Sequence, residues 1–517
     1  MSEIRRKGSS WTAGKTVIAS NPLQDSFVKL EQAEGLRLQG KLDRAQAICA
    51  SLVRKYPDYM GALHTLGLIH ADKRDYESAL DCLVRAAMLN PLSWTTLTAL
   101  SGVYLRLGAR EMAARTLEQA RQINPQDPAI LLTLGEIYRE EREYELARDA
   151  YRQALALEAD LGPAAVGLGM VCSSLGFYAE AAEIFERLIK RGMRTLGPLS
   201  GLANLPASVV SIDVLSQLDS VVRDENKAEF ENSAAFIRAA ALDKAGRHAQ
   251  AWEYLGPANR THFLAKRVEL TEETARQRAS LEWLRENPVV TTDGSSRGGG
   301  QAISLFILGP SRSGKTTIEK LVATLNGVKR GYENRIVENA IRRAFQSAAL
   351  ITSELFENLP LSLYPQCCDI YLEELVRRAG SARVFTNTHP AHIYDAARIV
   401  RAFPNVRFIF VKRNLEDVTL RIYMRKYGGG NAYAYDLTTI RDHVVWYYQM
   451  IDLLAEQLSD NVRVINYEDM VADPSAALRT AAELCGLPMT KGPLPVVGDD
   501  RGCAAPYRQM MAAVLEG

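Results

Sequence analysis

Ala302-Ile-Ser-Leu-Phe-Ile-Leu308, then Gly309-Pro-Ser-Arg-Ser-Gly314-Lys315-Thr316-Thr317, then Ile318-Glu-Lys-Leu-Val-Ala-Thr-Leu325 decide the fold of the second half of the chain. The first run is short and almost wholly apolar, as a strand buried on both faces requires, and the last carries apolar residues at helical spacing. Strand, glycine loop and helix together make a phosphate cradle. Backbone N–H groups and the helix N-terminus point at an anion there, and a Lys or Arg neutralises what charge remains. The loop satisfies G-x-x-x-x-G-K-[ST] in full, which points first to ATP. A P-loop enzyme that uses ATP also needs a later strand ending in an acidic residue to hold Mg²⁺. The best later strand, Val406-Arg-Phe-Ile-Phe-Val411, ends instead in Lys412 and Arg413, which suits a second anion.

Upstream, Ala45, Ala79, Ala113, Ala147 and Ala181 recur every 34 residues, and Pro57, Pro91 and Pro125 keep the same interval. Gly67, Gly135 and Gly169, then Tyr104 and Tyr138, then Tyr151 and Phe185, form further columns. Two packed antiparallel helices need small residues where backbones approach and a large one to fill the groove; a Pro ends each unit. The pattern resembles the tetratricopeptide repeat. Ser26–Pro57 reads as a weaker first repeat, register is lost from Leu196 to about Glu229, and Ala239, Ala251 and Ala258 restore an atypical sixth unit. Such an array forms a solenoid whose concave face binds a peptide or a partner domain, or else serves only to hold the second half in place.

The whole chain of 517 residues exceeds a single domain, and 47% hydrophobic with 24% charged residues is ordinary globular usage. Lys plus Arg total 62 against 61 Asp plus Glu, a net charge of +1 that gives no general drive toward nucleic acid or anionic lipid. No apolar run reaches the roughly 18 residues of a membrane span, and the N-terminal stretch lacks a signal-peptide core, so a cytoplasmic location is expected. The seven scattered cysteines suit neither a disulfide framework nor a zinc site, and no metal is expected.

Past the loop a family resemblance emerges. Pro310-Ser-Arg-Ser-Gly-Lys-Thr-Thr317 resembles the P-R-S-G-T-T loop of sulfotransferases, which bind the 5′-phosphosulfate of 3′-phosphoadenylyl sulfate (PAPS). Val406–Tyr427 is similar to that family's second signature, in which an Arg and, eight residues on, a Ser hold the donor's 3′-phosphate; here these positions are Arg413 and Arg421. Val464-Ile-Asn-Tyr-Glu-Asp-Met-Val-Ala-Asp-Pro474 and the following helix resemble a third segment, with Tyr467 at the strand end beside the nucleotide. The resemblance spans about residues 300–490, and the array in front looks like that of bacterial proteins that fuse tetratricopeptide repeats to a tyrosylprotein-sulfotransferase-like domain.

The resemblance implies an α solenoid followed by an α/β domain whose parallel sheet is covered by helices. Its boundaries are a mobile tail at 1–24, repeats at 25–265, a helix and Gly/Ser-rich linker at 266–300, and the sulfotransferase domain at 301–517. It implies that Ser311, Arg312, Ser313, Gly314, Lys315, Thr316 and Thr317, with Arg413, Arg421 and Tyr467, bind PAPS as co-substrate without a metal. Arg312 and Lys315 stabilise the leaving phosphate, Lys315 standing where Thr is usual. Two residues compete as base: Glu333, matching tyrosylprotein-type relatives and ranked first, and His389, partly matching small-molecule relatives. Read without the family, Glu333 is a solvated loop carboxylate and His389 a cap on the helix after Pro390. The chain departs from its relatives at Lys315, Arg421 and Thr388, the last in place of a lysine, and its C-terminal segment offers Arg501 or Arg508 where relatives carry a basic closure. The acceptor is a hydroxyl on protein tyrosine, carbohydrate or a small molecule. The competing functions are a P-loop ATP-dependent kinase and a repeat scaffold with an idle domain.

Overall fold

A computed structural model describes residues 22–221, 227–289, 302–348, 353, 355–490, 492–495 and 497–515. The expected tail lies, through residue 21, outside the described residues, as does the linker stretch Thr291–Gly300. The described chain divides into two compact units, one running to Ile137 and including Gln153–Asp160, the other formed by Tyr138–Arg152 and everything from Leu161 onward.

The first unit contains three helix hairpins, Pro22–Leu38 with Leu42–Lys55, Met60–Asp72 with Tyr76–Leu89, and Trp94–Arg106 with Arg110–Ile123, and most of the helix Pro128–Glu140. Ala45, Ala79 and Ala113 are fully buried where the helices meet. Gly67 shows why that column must stay small, since a Cβ there would lie 2.6 Å from Leu83 Cγ. Asp75 and Ser93 cap helix starts by accepting from the Ser78 and Thr96 amides, and Pro57, Pro91 and Pro125 sit in the turns after each second helix.

The second unit opens with the same grammar. Ala147 and Ala181 are fully buried, and Tyr151 and Phe185 are among the largest fully buried side chains, each contributing about 1.5 to 3 kcal/mol of burial. Where the columns fail, the helices shorten to Leu196–Asn204 and Val214–Asp219; they lengthen again at Lys227–Lys244 and His248–Ala265. Phe236, Leu242, Leu255 and Ala258 of that last pair share one core with Val418, Ile422, Tyr423 and Tyr507. Asn259 Nδ2, fully buried, donates to the Tyr423 carbonyl at 3.0 Å.

Downstream lies a five-stranded sheet of β1 (Ile303–Leu308), β2 (Val328–Lys329), β3 (Val384–Asn387), β4 (Val406–Lys412) and β5 (Val462–Asn466), in the order β2-β3-β1-β4-β5 with every pair parallel. Alternation along the strands sends Phe306, Leu308, Phe408 and Phe410 to one face, where Ile341, Leu375 and Tyr447 cover them. Leu305, Ile307, Ile409 and Val411 face the other side, under Ile318, Val322, Leu478 and Ala481. β1 is central, and the chain leaves it between β3 and β4, the switch point where α/β sheets hold ligands.

Candidate functional site

The glycine loop leaves β1 at Leu308, and the helix Lys315–Val322 starts directly behind it. Gly314 has φ +103°, a left-handed backbone, and a Cβ there would sit 2.6 Å from the Tyr467 ring. Loop and β5 end are therefore pressed together. Arg312 also has positive φ, 65°, and Ser311 Oγ bonds the Tyr427 hydroxyl at 3.0 Å. Ser313 Oγ is buried and has no hydrogen-bond partner. Thr316 is exposed and Thr317 half-buried at the helix start.

Cations gather here without enough carboxylate to balance them. Lys315 is 6% exposed and its Nζ donates to the Gly309 and Pro310 carbonyls at 2.9 and 3.0 Å. Burial lowers its pKa to about 8 against the pull of Glu333. Arg425 is lowered to about 9, by burial first and then by Arg312, and makes no ion pair among the described residues. Enclosure by protein lowers Arg312 as well, although its side chain stays open to water, which offsets part of that effect. Positive groups held in this way favour a bound anion, which would restore their ordinary pKa values.

Arg413, at the end of β4, lies with its guanidinium over the Tyr467 ring, 4.4 Å from the centroid. Its Nη1 donates to the Arg312 carbonyl at 3.1 Å, and its Nη2 to the carbonyl and carboxylate of Asp500 at 2.7 and 2.8 Å. Arg413 Nε is buried and unpartnered. Arg421 grips the same Asp500 carboxylate through Nε and Nη2 at 2.9 and 2.5 Å and reaches Asp243 at 2.9 Å. Burial opposes ionisation of Asp500, yet the bonds and charge of Arg421, then those of Arg413, hold it below the usual carboxylate range. Tyr467 Oη donates to the Gly498 carbonyl and accepts from the Asp500 amide.

Glu333 rides on a turn fastened from below. Glu319, 1% exposed on the helix behind the loop, accepts from the Tyr332 amide at 2.9 Å, the Thr386 hydroxyl at 2.6 Å and Arg330 at 3.0 Å. Asn334 Nδ2 donates to the Gly331 and Thr386 carbonyls, and Tyr332 takes φ 54°. Glu333 itself is half-exposed, 3.7 Å from Arg142 of the repeat hairpin turn, and its charge is felt by Lys315, Tyr427 and His389. Tyr332 extends the same seam, donating its hydroxyl to Glu145 at 2.8 Å.

His389 accepts from the Ala391 amide through Nδ1 at 3.3 Å, capping the short helix Pro390–Ile393. Burial, then His392, lowers it to about 4, so it is neutral near pH 7 with its Nδ1 lone pair already used. Thr388 is buried, and its amide donates to the Tyr332 carbonyl. Arg501 pairs with Asp499, and Arg508 with Glu416.

The cleft thus assembles the loop, Arg413, Arg421, Tyr467, Glu333 and His389 around one end of β1. Sequence reasoning missed Arg425, which lies just past the end of the helix Leu415–Tyr423 that carries Arg421. It also missed Glu319, Asp243 and Asp500, acidic residues with no local signature.

These features define an α/β domain with a parallel sheet behind a helical repeat array. Residues 304–491 match the sulfotransferase family model, and residues 98–166 and 61–91 match tetratricopeptide repeat models; the chain carries a sulfotransferase-family domain together with tetratricopeptide repeats. An uncharacterized protein of Aquifex aeolicus is 23% identical over 501 residues, covering 91% of this chain and 64% of that relative. A protein-tyrosine sulfotransferase of Drosophila melanogaster is 22% identical over 195 residues, covering 36% of this chain and 38% of its own length. This chain therefore spans less than two thirds of either. Among solved structures, a tetratricopeptide repeat protein from Parabacteroides merdae has a TM-score of 0.36 at 20% identity, over 46% of this chain and 92% of that one.

Proposed function

We propose that the chain is a sulfotransferase that moves a sulfuryl group from PAPS to an acceptor hydroxyl. The observation that carries this reading is the set of under-compensated cations around a glycine loop, the buried Lys315, the half-buried Arg425 and the water-exposed Arg312, with Lys412–Arg413 rather than an acid at the end of the neighbouring strand. The unpartnered Ser313 Oγ and Arg413 Nε are two further donors for an anionic ligand, so the residues present fit a doubly anionic nucleotide. When bound, PAPS supplies an activated sulfate anhydride.

The loop amides from Ser311 to Thr317, with Arg312, hold the 5′ end; Arg413 and Arg421 hold the second phosphate, and Tyr467 lies beside the nucleotide. Arg312 and Lys315 stabilise the charge that grows on the leaving phosphate, usually the largest catalytic contribution. Glu333 removes the acceptor's proton. Its carboxylate is half-open to solvent on a braced turn, whereas His389 is committed to a cap. The repeats supply the surface that meets a peptide or protein partner, and the protein works in the cytoplasm.

Calorimetric titration tests this: adenosine 3′,5′-bisphosphate should bind without Mg²⁺ and more tightly than Mg·ATP. Preference for Mg·ATP would favour the kinase reading, and binding of neither nucleotide would leave a scaffold.

A further inference from the structure

The second-anion site already contains an anion of the chain's own. Asp500 offers one carboxylate to two guanidiniums, to Arg413 at 2.8 Å and to Arg421 at 2.5 and 2.9 Å, and adds its carbonyl to Arg413 at 2.7 Å. A planar carboxylate between two arginine forks has the geometry in which arginine also receives a phosphate. The charge of Asp500 is felt at Arg312 on the glycine loop, so this carboxylate belongs to the same cleft.

The segment bearing it is pinned from both sides. Tyr467 holds Gly498 and the Asp500 amide; Asp417 accepts from the amides of Gly502 and Ala504 at 2.7 and 2.9 Å; Tyr507 donates to Asp243 at 2.8 Å. Asp243 also takes Arg421 Nη1, so Arg413 and Arg421 are balanced by Asp243 and Asp500. Arg312, Lys315 and Arg425 are not balanced in this way. One half of the cleft is therefore ready for an anion, and the other half is filled.

We propose that Asp500 is a built-in surrogate for the donor's second phosphate, and that it sets the selectivity for 3′-phosphorylated nucleotides by having to leave before such a nucleotide binds. The inference rests on the donor reading above. A 5′-monophosphate needs only the loop and binds with Asp500 in place. A 3′,5′-bisphosphate must open the Arg413–Asp500–Arg421 clamp, and its apparent affinity is reduced by the small fraction of molecules already open.

The test compares the wild type with Asp500→Asn, each titrated with adenosine 3′,5′-bisphosphate and with adenosine 5′-monophosphate. The variant is expected to bind the bisphosphate about 10- to 100-fold more tightly, as for a competent fraction of a tenth to a hundredth, with monophosphate affinity nearly unchanged. Equal gains for both nucleotides would mean a general charge effect and would overturn the proposal, as would a loss of bisphosphate affinity. A second measurement needs no variant. Amide hydrogen exchange across residues 498–507 of the wild type should accelerate with the bisphosphate and not with the monophosphate; unchanged or stronger protection overturns the idea. If neither protein binds the bisphosphate, this inference and the donor reading fall together. If the wild type prefers the bisphosphate and the variant keeps the same ratio, only the role of Asp500 falls.

Discussion

Raising the pH from 7 to 9.5 should weaken binding of adenosine 5′-monophosphate, and Lys315 fixes the size of the loss. In the free protein burial brings this ammonium to about pKa 8; a bound phosphate would return it toward the ordinary value near 10.4. Between those values binding takes up a proton, so affinity falls by about tenfold per pH unit and by about 30-fold at pH 9.5. Arg425 stays charged across this range, as guanidinium groups do, and adds no proton uptake. The nucleotide's phosphate, with a second pKa near 6, is fully ionised throughout and adds nothing. The sign differs for the fold itself. Because the folded pKa of Lys315 lies below the unfolded one, the nucleotide-free protein gains stability from this group as pH rises through the same window. Calorimetry at pH 9 in two buffers of different ionisation enthalpy reads the proton uptake directly, and Lys315→Met should remove most of it. Affinity that stays flat from pH 7 to 9.5, without proton uptake, would show that the anion never meets these cations.

Glu333→Gln should lower kcat by about 10² to 10⁴ with donor affinity nearly intact, while His389→Asn costs less; the reverse order in steady-state assays on a verified acceptor would make His389 the base. Glu319→Ala removes a buried carboxylate that braces the Glu333 turn and pairs with Arg330, and should cost about 3 to 5 kcal/mol in urea unfolding. Gly169→Ala would place a Cβ 2.5 Å from the Phe185 ring; overpacking there should cost about 1 to 3 kcal/mol by the same measurement.

The repeat array and the parallel sheet were legible because their signals are local and periodic. A fully buried alanine every 34 residues and an apolar run entering a glycine loop each report their own surroundings. Except for Arg425, the cations of the cleft were legible, since Arg312, Lys315, Arg413 and Arg421 stand in or beside recognisable strings. Their counter-charges were not. Asp243 and Asp500 reach Arg421 across 178 and 79 residues of chain, and nothing in a window around either carboxylate marks it as a partner. The two readings of His389 illustrate the same limit. Its spacing to Pro390 suits a cap and a base alike, and the Ala391 amide on Nδ1 shows the cap in place.

Glu145 holding Tyr332, Arg142 beside Glu333, and Asp243 holding Arg421 and Tyr507 place parts of the later repeats inside the architecture of the sulfotransferase-family domain. A fragment trimmed to begin at β1 would lose all three of these residues. It would also strip the apolar cover from Val418, Ile422 and Tyr423. The two halves are thus not interchangeable cassettes: exchanging this array for that of another protein would transplant a foreign wall into the cleft, and substitutions in either half constrain those the other can accept.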